Sequence, residues 1–90
     1  MASLTIENYV KAIYQICAES DVPTAATGEV ARRLGLTPGS VTSMLQRLGE
    51  ADLVKYQAHR GVRLTRSGEQ LALRMLRRHR LVELFLATTL

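Results

Sequence analysis

The chain of 90 residues has one cysteine, no tryptophan and few aromatic residues of any kind. The single cysteine, Cys17, excludes an intramolecular disulfide and suits a reducing compartment. Its neighbours Ile13, Tyr14 and Ile16 predict a thiol that packs in a core rather than one that acts as a nucleophile or redox centre. Aromatic residues make up 4% of the chain, too few for the stacking surfaces on which proteins hold single-stranded nucleic acid.

Long apolar runs and catalytic motifs are also missing. No apolar stretch approaches the roughly 20 residues that cross a membrane, and no basic region followed by an apolar run marks a secretory signal. The sequence has no glycine-rich phosphate loop and no cysteine cluster, and no spacing of serine, histidine and aspartate implies a catalytic site. We therefore expect a soluble, cytoplasmic protein that is not an enzyme and takes neither a membrane nor a small-molecule substrate as partner.

Acidic residues are scarce between Leu53 and Val82. The formal net charge is +4, but from Leu53 to Val82 a single acid, Glu69, stands against eight cations, so this segment alone carries +7. The cations are Lys55, Arg60, Arg63, Arg66, Arg74, Arg77, Arg78 and Arg80. Such an asymmetry is usually a solvated face, yet it also favours an anionic partner. A chain of this length forms one small domain, which a partner often helps to stabilise.

The first predicted helix runs from about Thr5 to Glu19. Apolar residues recur there at spacings of three and four and give one broad stripe that faces a core. The stripe consists of Ile6, Tyr9, Val10, Ile13, Tyr14 and Cys17. Residues 20–24 are predicted to be a connector, because Pro23 cannot continue a helix.

The next two predicted helices are the most informative part of the sequence. One begins near Thr27 and breaks at Gly35, and the other runs from near Pro38 to about Ala51. Thr37 can accept hydrogen bonds from the free N–H groups of the new helix, and Pro38 suits its first position. The two apolar faces are Val30, Ala31 and Leu34, then Val41, Leu45 and Leu48. The pattern indicates a helix-turn-helix, although an ordinary helical hairpin shares it.

The exposed side of the third helix carries small hydrogen-bonding residues at its start and a cation farther along. This layout is typical of a helix that enters the major groove with its N-terminus first. Gln46 and Arg47 are longer than the others and are expected to reach backbone phosphates, whereas Met44 is expected to pack inward. The predicted DNA-binding residues are Thr27, Thr37, Pro38, Gly39, Ser40, Thr42, Ser43, Gln46, Arg47 and Arg60.

A basic hairpin is predicted after the third helix. Leu53–Gln57 and Gly61–Thr65 are short β-prone runs, and the turn between them contains a glycine at which a positive φ is expected. A hairpin that follows a helix-turn-helix is a wing, and the tip of this one offers His59 and Arg60 to a phosphate or to the minor groove. Thr65 then caps a last helix that continues to the C-terminus.

The last helix carries two further features. His79 and Glu83 are four residues apart, so they project from one face and could chelate a divalent metal, although such a pair is more often a salt bridge or a coincidence. The final ten residues are apolar nearly all round, so packing on one domain cannot bury them. We expect a second copy of the chain to cover them, with Leu81, Phe85 and Leu86 at the dimer interface.

With these residues in view, the chain resembles the metal-dependent repressors of the diphtheria-toxin-repressor and manganese-transport-regulator family. The resemblance covers nearly all of the chain, and its last two segments are specific to this family among winged helices. The matching segments are ENYVKAIY at 7–14, TPGSVTSML at 37–45, RGVRLT at 60–65 and RHRLVELFL at 78–86.

The resemblance implies a repressor that dimerises, binds Fe²⁺ or Mn²⁺ as corepressor and then binds a palindromic operator. It places His79 and Glu83 at metal-ligand positions, the latter as in the iron-type branch. Asn8 stands where iron-type members have methionine and manganese-type members have aspartate. It is a third candidate ligand, which could add a weak carbonyl oxygen if the first helix packs beside the last. Lys11 stands where manganese-type members have a second carboxylate, and a cation there repels a metal. Because family members also continue past the position of Leu90 into helices with further ligands, DNA binding is expected to be better preserved here than metal control.

The sequence thus predicts a mainly α winged helix-turn-helix with a three-helix core, a two-stranded wing and a long C-terminal helix. Residues 1–65 are predicted to form the DNA-binding domain, and residues 66–90 the start of a dimerisation region. The expected function is that of a sequence-specific regulator of transcription that binds double-stranded DNA, a Mn- or Fe-dependent repressor acting as a homodimer. The alternative is a winged-helix protein-interaction module without metal sensing.

Overall fold

The structure, a computed structural model, describes residues 2–57 and 60–89, and the side chains of residues 5–57 and 60–78. Over these residues the chain forms four helices and a two-stranded antiparallel sheet in the predicted order. The elements are α1 (Ala2–Ser20), α2 (Thr27–Leu34), α3 (Pro38–Glu50), β1 (Val54–Gln57), β2 (Gly61–Leu64) and α4 (Arg66–Thr89). The predicted winged helix-turn-helix is confirmed. None of the helices described is both long and apolar enough to span a bilayer.

The apolar stripe of α1 is broad because it packs into two clusters. Tyr9 and Ile13 belong to the main core, together with buried residues of α2, α3 and the wing. Val10 lies in a second cluster with Ala72 and Met75 of α4. The helix therefore forms the central support of the domain, with the helix-turn-helix on one flank and α4 on another.

The ends of α2 and α3 follow the local sequence. Gly35 adopts a left-handed conformation with φ of 66°, and the Leu36 N–H donates to the Ala31 carbonyl at 3.0 Å, which ends α2 in a Schellman motif. Thr37 then accepts the Ser40 N–H and caps α3, whose first residue is Pro38. The predicted break and restart are both confirmed.

The end of α3 has the same motif without a glycine. The Leu53 N–H donates to the Leu48 carbonyl at 3.0 Å, and the Asp52 N–H donates to the Gly49 carbonyl at 3.1 Å. Asp52 therefore occupies the left-handed position, with φ of 61°. An L-residue pays a steric cost there that glycine does not.

We expect Asp52→Gly to raise the free energy of unfolding by about 0.5–1 kcal/mol, because relief of the strained φ exceeds the added freedom of the unfolded chain. The preceding residue, Ala51, has an ordinary φ of −83°, so Ala51→Gly is expected to lower the stability by about 0.4–1 kcal/mol. Urea unfolding of both variants measures the difference. Two changes of the same sign would contradict the prediction.

The wing is attached to the connector that precedes α2. β1 and β2 pair in register, with Lys55 opposite Arg63, and Gly61 has the expected positive φ, 102°. In addition, Ala25 and Val62 form an isolated β-bridge, in which each N–H donates to the other residue's carbonyl at 2.7 and 2.9 Å. Residues 20–24 were predicted to be a connector, and nothing in the sequence pattern indicated this pairing of the residue that follows them.

Candidate nucleic-acid interface

The predicted DNA-binding residues of α3 lie away from the core. Val41, Leu45 and Leu48 are fully buried on the inner side of the helix and so fix which side faces solvent. Residues at the start of α3 and along its outer side are exposed, and Thr42 is half-buried. The exposed set is Thr37, Pro38, Gly39, Ser40, Ser43, Gln46 and Arg47. Met44 is half-buried and packs against the core as expected.

Hydrogen bonds within α3 determine what its hydroxyl groups can offer to a ligand. Thr42 Oγ1 donates to the Pro38 carbonyl at 3.0 Å, so this side chain presents its methyl group and oxygen lone pairs. Thr37 Oγ1 donates to Ser40 Oγ at 2.9 Å, and the Ser40 hydroxyl therefore keeps its own hydrogen for another acceptor. A donor and a methyl group, here two residues apart on α3, are the groups that read base edges and thymine methyls in the major groove.

Two other predicted DNA-binding residues, distant in the sequence, lie close together beside the wing. Thr27 is the first residue of α2 and Arg60 immediately precedes β2, yet both line one open groove together with Thr24 and Ala26. The Ala25–Val62 bridge explains this proximity, because it holds the connector against the wing. His59, the other residue predicted at the wing tip, lies outside the described residues.

Lys55 and Arg63 were not among the predicted DNA-binding residues and entered the sequence-based expectations only through the positive charge of their segment. In the structure both side chains are exposed on the outer face of the wing, directly opposite each other. The alternation of apolar and polar residues along β1 was the signal available, since every second side chain of a strand shares a face. The register that makes the two cations partners could not be read from that alternation.

The cations of α2 are engaged within the domain. Glu29 accepts hydrogen bonds from Arg32 and Arg33, and Arg33 also donates to Glu19 of α1. The hydrogen bonds from Arg32 and then Arg33 lower the pKa of Glu29 to about 2. Exposed ion pairs of this kind stabilise a domain only slightly. The Arg33–Glu19 pair does, however, link α2 to α1. Together the pairs occupy two guanidinium groups that would otherwise be available to phosphates.

Of the predicted metal ligands, only Asn8 has a described side chain. It is exposed and lines a groove with Lys11 and Arg33, on the side of α1 that faces α2, whereas α4 packs beside Val10. A neutral amide between two cations does not suit a divalent ion. The side chains of His79 and Glu83 lie outside the described part. Within that part, no three histidine, cysteine, aspartate or glutamate side chains converge as metal ligands would.

The remaining predictions concern the core thiol Cys17 and the dimer interface. Cys17 is half-buried against the core, and burial, together with the charge of Glu69, raises the pKa of its thiol. The thiol therefore stays protonated at neutral pH, which disfavours a nucleophilic role. The side chains predicted at the dimer interface, Leu81, Phe85 and Leu86, lie outside the described residues, although the backbone of α4 is helical there.

Residues 1–62 match the family model described as iron dependent repressor, N-terminal DNA binding domain. The curated relatives include proteins named HTH-type transcriptional regulator MntR. That of Lysinibacillus sphaericus is 35% identical over 96% of this chain and 60% of its own length. Those of Bacillus subtilis and Listeria welshimeri are each 34% identical, over 96% and 97% of this chain and 59% and 60% of their own lengths. The chain thus spans about 60% of the length of these relatives.

Proposed function

Because the chain belongs to the iron-dependent repressor family, through the N-terminal DNA-binding domain, we propose that it binds double-stranded DNA sequence-specifically and regulates transcription as a repressor. The observation that carries the proposal is the outer side of α3, on which small polar residues remain exposed while Val41, Leu45 and Leu48 are fully buried. This domain and the family description both favour DNA binding over enzymatic catalysis.

In the proposed complex, α3 enters the major groove with its N-terminus first. Ser40 and Ser43 donate to acceptors on base edges, and the Thr42 methyl group packs against a thymine methyl. Gln46 and Arg47 lie farther along the helix and bind backbone phosphates. The groove that Thr27 and Arg60 share lies at the wing, where it contacts the neighbouring phosphates.

Two further parts of the proposal concern assembly and metal. We propose a cytoplasmic homodimer whose two recognition helices lie about 34 Å apart, one turn of DNA. Leu81, Phe85 and Leu86 of α4 are the proposed contact between the chains. For the metal, His79 and Glu83 are the proposed ligands and Asn8 is unsuited to the role, so this chain is expected to bind Mn²⁺ or Fe²⁺ weakly at most. Tight binding of a transition ion requires more ligands than two.

A mobility-shift assay on genomic fragments, with and without Mn²⁺ or Fe²⁺, tests the proposal directly. A shift of selected fragments at low salt supports a sequence-specific regulator. If no duplex is shifted under any of these conditions, the proposal is wrong and a protein-interaction module becomes the better hypothesis. The metal-free and metal-loaded arms separate DNA binding from metal control.

Two substitutions in the proposed interface are expected to act differently. Arg60→Ala should weaken binding by a similar factor on every duplex and lower the slope of log affinity against log salt by about 0.9, as the loss of one phosphate contact does. Ser43→Ala should instead change which base is preferred, by about 1 kcal/mol or roughly fivefold, because it removes one hydrogen bond to a base edge. Fluorescence anisotropy over a set of single-base operator variants distinguishes the two patterns. Equal effects on all duplexes for Ser43→Ala would contradict its assignment.

A further inference from the structure

The outer face of the wing carries two like charges that destabilise the pairing of its strands. Lys55 on β1 and Arg63 on β2 are direct cross-strand partners, and both are exposed. Like charges at directly opposed positions of an antiparallel pair destabilise the pairing. The next pair on the same face, Gln57 with Gly61, brings no carboxylate to offset them.

A third cation extends this patch. Lys55, Arg60 and Arg63 line one open groove of about 520 Å³ between the wing and the connector residues Pro23 and Thr24. All of its described charged lining residues are cations. Arg63 also borders a neighbouring cavity that contains Glu69. The ion pairs identified among the described residues lie elsewhere, two within α2 and one between α1 and α2.

The backbone holds this face in a fixed position. The two hydrogen bonds between Ala25 and Val62 tie β2 to the connector. Gly61 fits so closely against Ala25 that a Cβ atom there would lie 2.7 Å from the Ala25 carbonyl oxygen. β2 therefore cannot easily shift to move Arg63 away from Lys55. A polyanion bound in the groove would relieve the repulsion instead. An arrangement that repels in the free protein and is neutralised in a complex is the electrostatic signature of a phosphate-binding surface.

We propose that the basic wing face, formed by Lys55, Arg60 and Arg63, binds the sugar-phosphate backbone of duplex DNA beside the segment read by α3. The proposal rests on the proposed function and extends it from the wing tip to the strands. It makes Lys55 and Arg63 sequence-independent contacts, which set affinity and salt dependence without choosing the base sequence.

The test compares Lys55→Gln and Arg63→Gln with wild type in two measurements. In anisotropy titrations over a salt series, each variant should weaken binding to all duplexes and lower the salt slope by about 0.9. In thermal unfolding without DNA, each should raise the Tm by about 1–6 °C, since the cross-strand repulsion is gone. Lys11→Gln removes the same charge from the groove between α1 and α2 and should leave the salt slope unchanged.

Charge reversal sharpens the test. Lys55→Glu places opposite charges across the wing, so its Tm should exceed that of Lys55→Gln while its DNA affinity falls below that of Lys55→Gln. If the wild type binds duplex DNA and both glutamine variants keep its affinity and salt slope, this inference is overturned while the proposed function stands. A fall in both Tm and affinity would also overturn it, since it would show a structural role. Wild type that binds no duplex would refute the proposed function itself, and this inference with it.

Discussion

Replacing Gly68 by alanine is expected to lower the free energy of unfolding by about 2–3 kcal/mol, despite alanine being the better helix former. A Cβ atom at this position would lie 2.1 Å from the Leu53 carbonyl oxygen and 3.1 Å from a methyl group of Leu64. Leu53 cannot move away freely, because the same carbonyl accepts the Thr65 N–H at 3.0 Å. The first turn of α4 must therefore shift away from the end of α3.

Gly28 provides the matched control for this substitution. It also lies in a helix, but a Cβ atom there would meet nothing within 4 Å. Gly28→Ala should therefore stabilise the domain by about 0.5–1 kcal/mol, the ordinary gain in helix propensity. Urea unfolding of both variants decides the matter. A Gly68→Ala protein as stable as Gly28→Ala would show that α4 does not start against Leu53 as described.

The second large effect is expected at Leu45, whose side chain is fully buried beneath α3. Leu45→Ala should cost about 3–4 kcal/mol, from lost apolar burial and from the cavity that remains. This is a large part of the roughly 5–13 kcal/mol that stabilises a domain of this size. Because Leu45 helps fix which side of α3 faces solvent, DNA affinity should fall as well, and the salt slope should stay unchanged.

Leu36 is the control for this change, because it is a leucine of the same motif that is 44% exposed. Leu36→Ala should alter the stability by no more than about 0.5 kcal/mol. Chemical denaturation and anisotropy at a temperature where Leu45→Ala is still folded separate loss of stability from loss of binding. Equal costs for the two leucines would contradict the described core.

The sequence determined the order, type and most limits of the elements. Gly35, Thr37 and Pro38 end α2 and start α3 through hydrogen bonds that reach at most five residues along the chain. The Thr65 cap of α4 is of the same kind, since its Oγ1 accepts the Gly68 N–H at 3.1 Å. Local features of this sort are predictable because all of their partners stand within one short segment. α1 begins at Ala2 instead of near Thr5, since helix starts without a clear cap are the least defined limits.

The sequence also identified the core side of α3, and through it the side that can meet DNA. Spacing alone indicated that Val41, Leu45 and Leu48 share a face, and all three are fully buried. Spacing could not show which hydroxyl groups are already engaged in hydrogen bonds within the helix. The Thr42 hydroxyl donates to the Pro38 carbonyl, so this residue differs in chemistry from Ser43, although both looked alike as small polar residues at the start of the helix.

Tertiary structure decided which distant residues meet. The Ala25–Val62 bridge and the contact of Gly68 with Leu53 join residues 37 and 15 positions apart, and neither leaves a periodic pattern in the sequence. The same holds for Asn8, which was a candidate ligand only if it lay near the last helix but which lies beside Lys11 and Arg33 instead. The cross-strand pairing of Lys55 with Arg63 depends on the hairpin register. The physical reason is common to all four: local hydrogen bonds and periodicity specify each element, whereas the relative placement of elements follows from how their faces pack together.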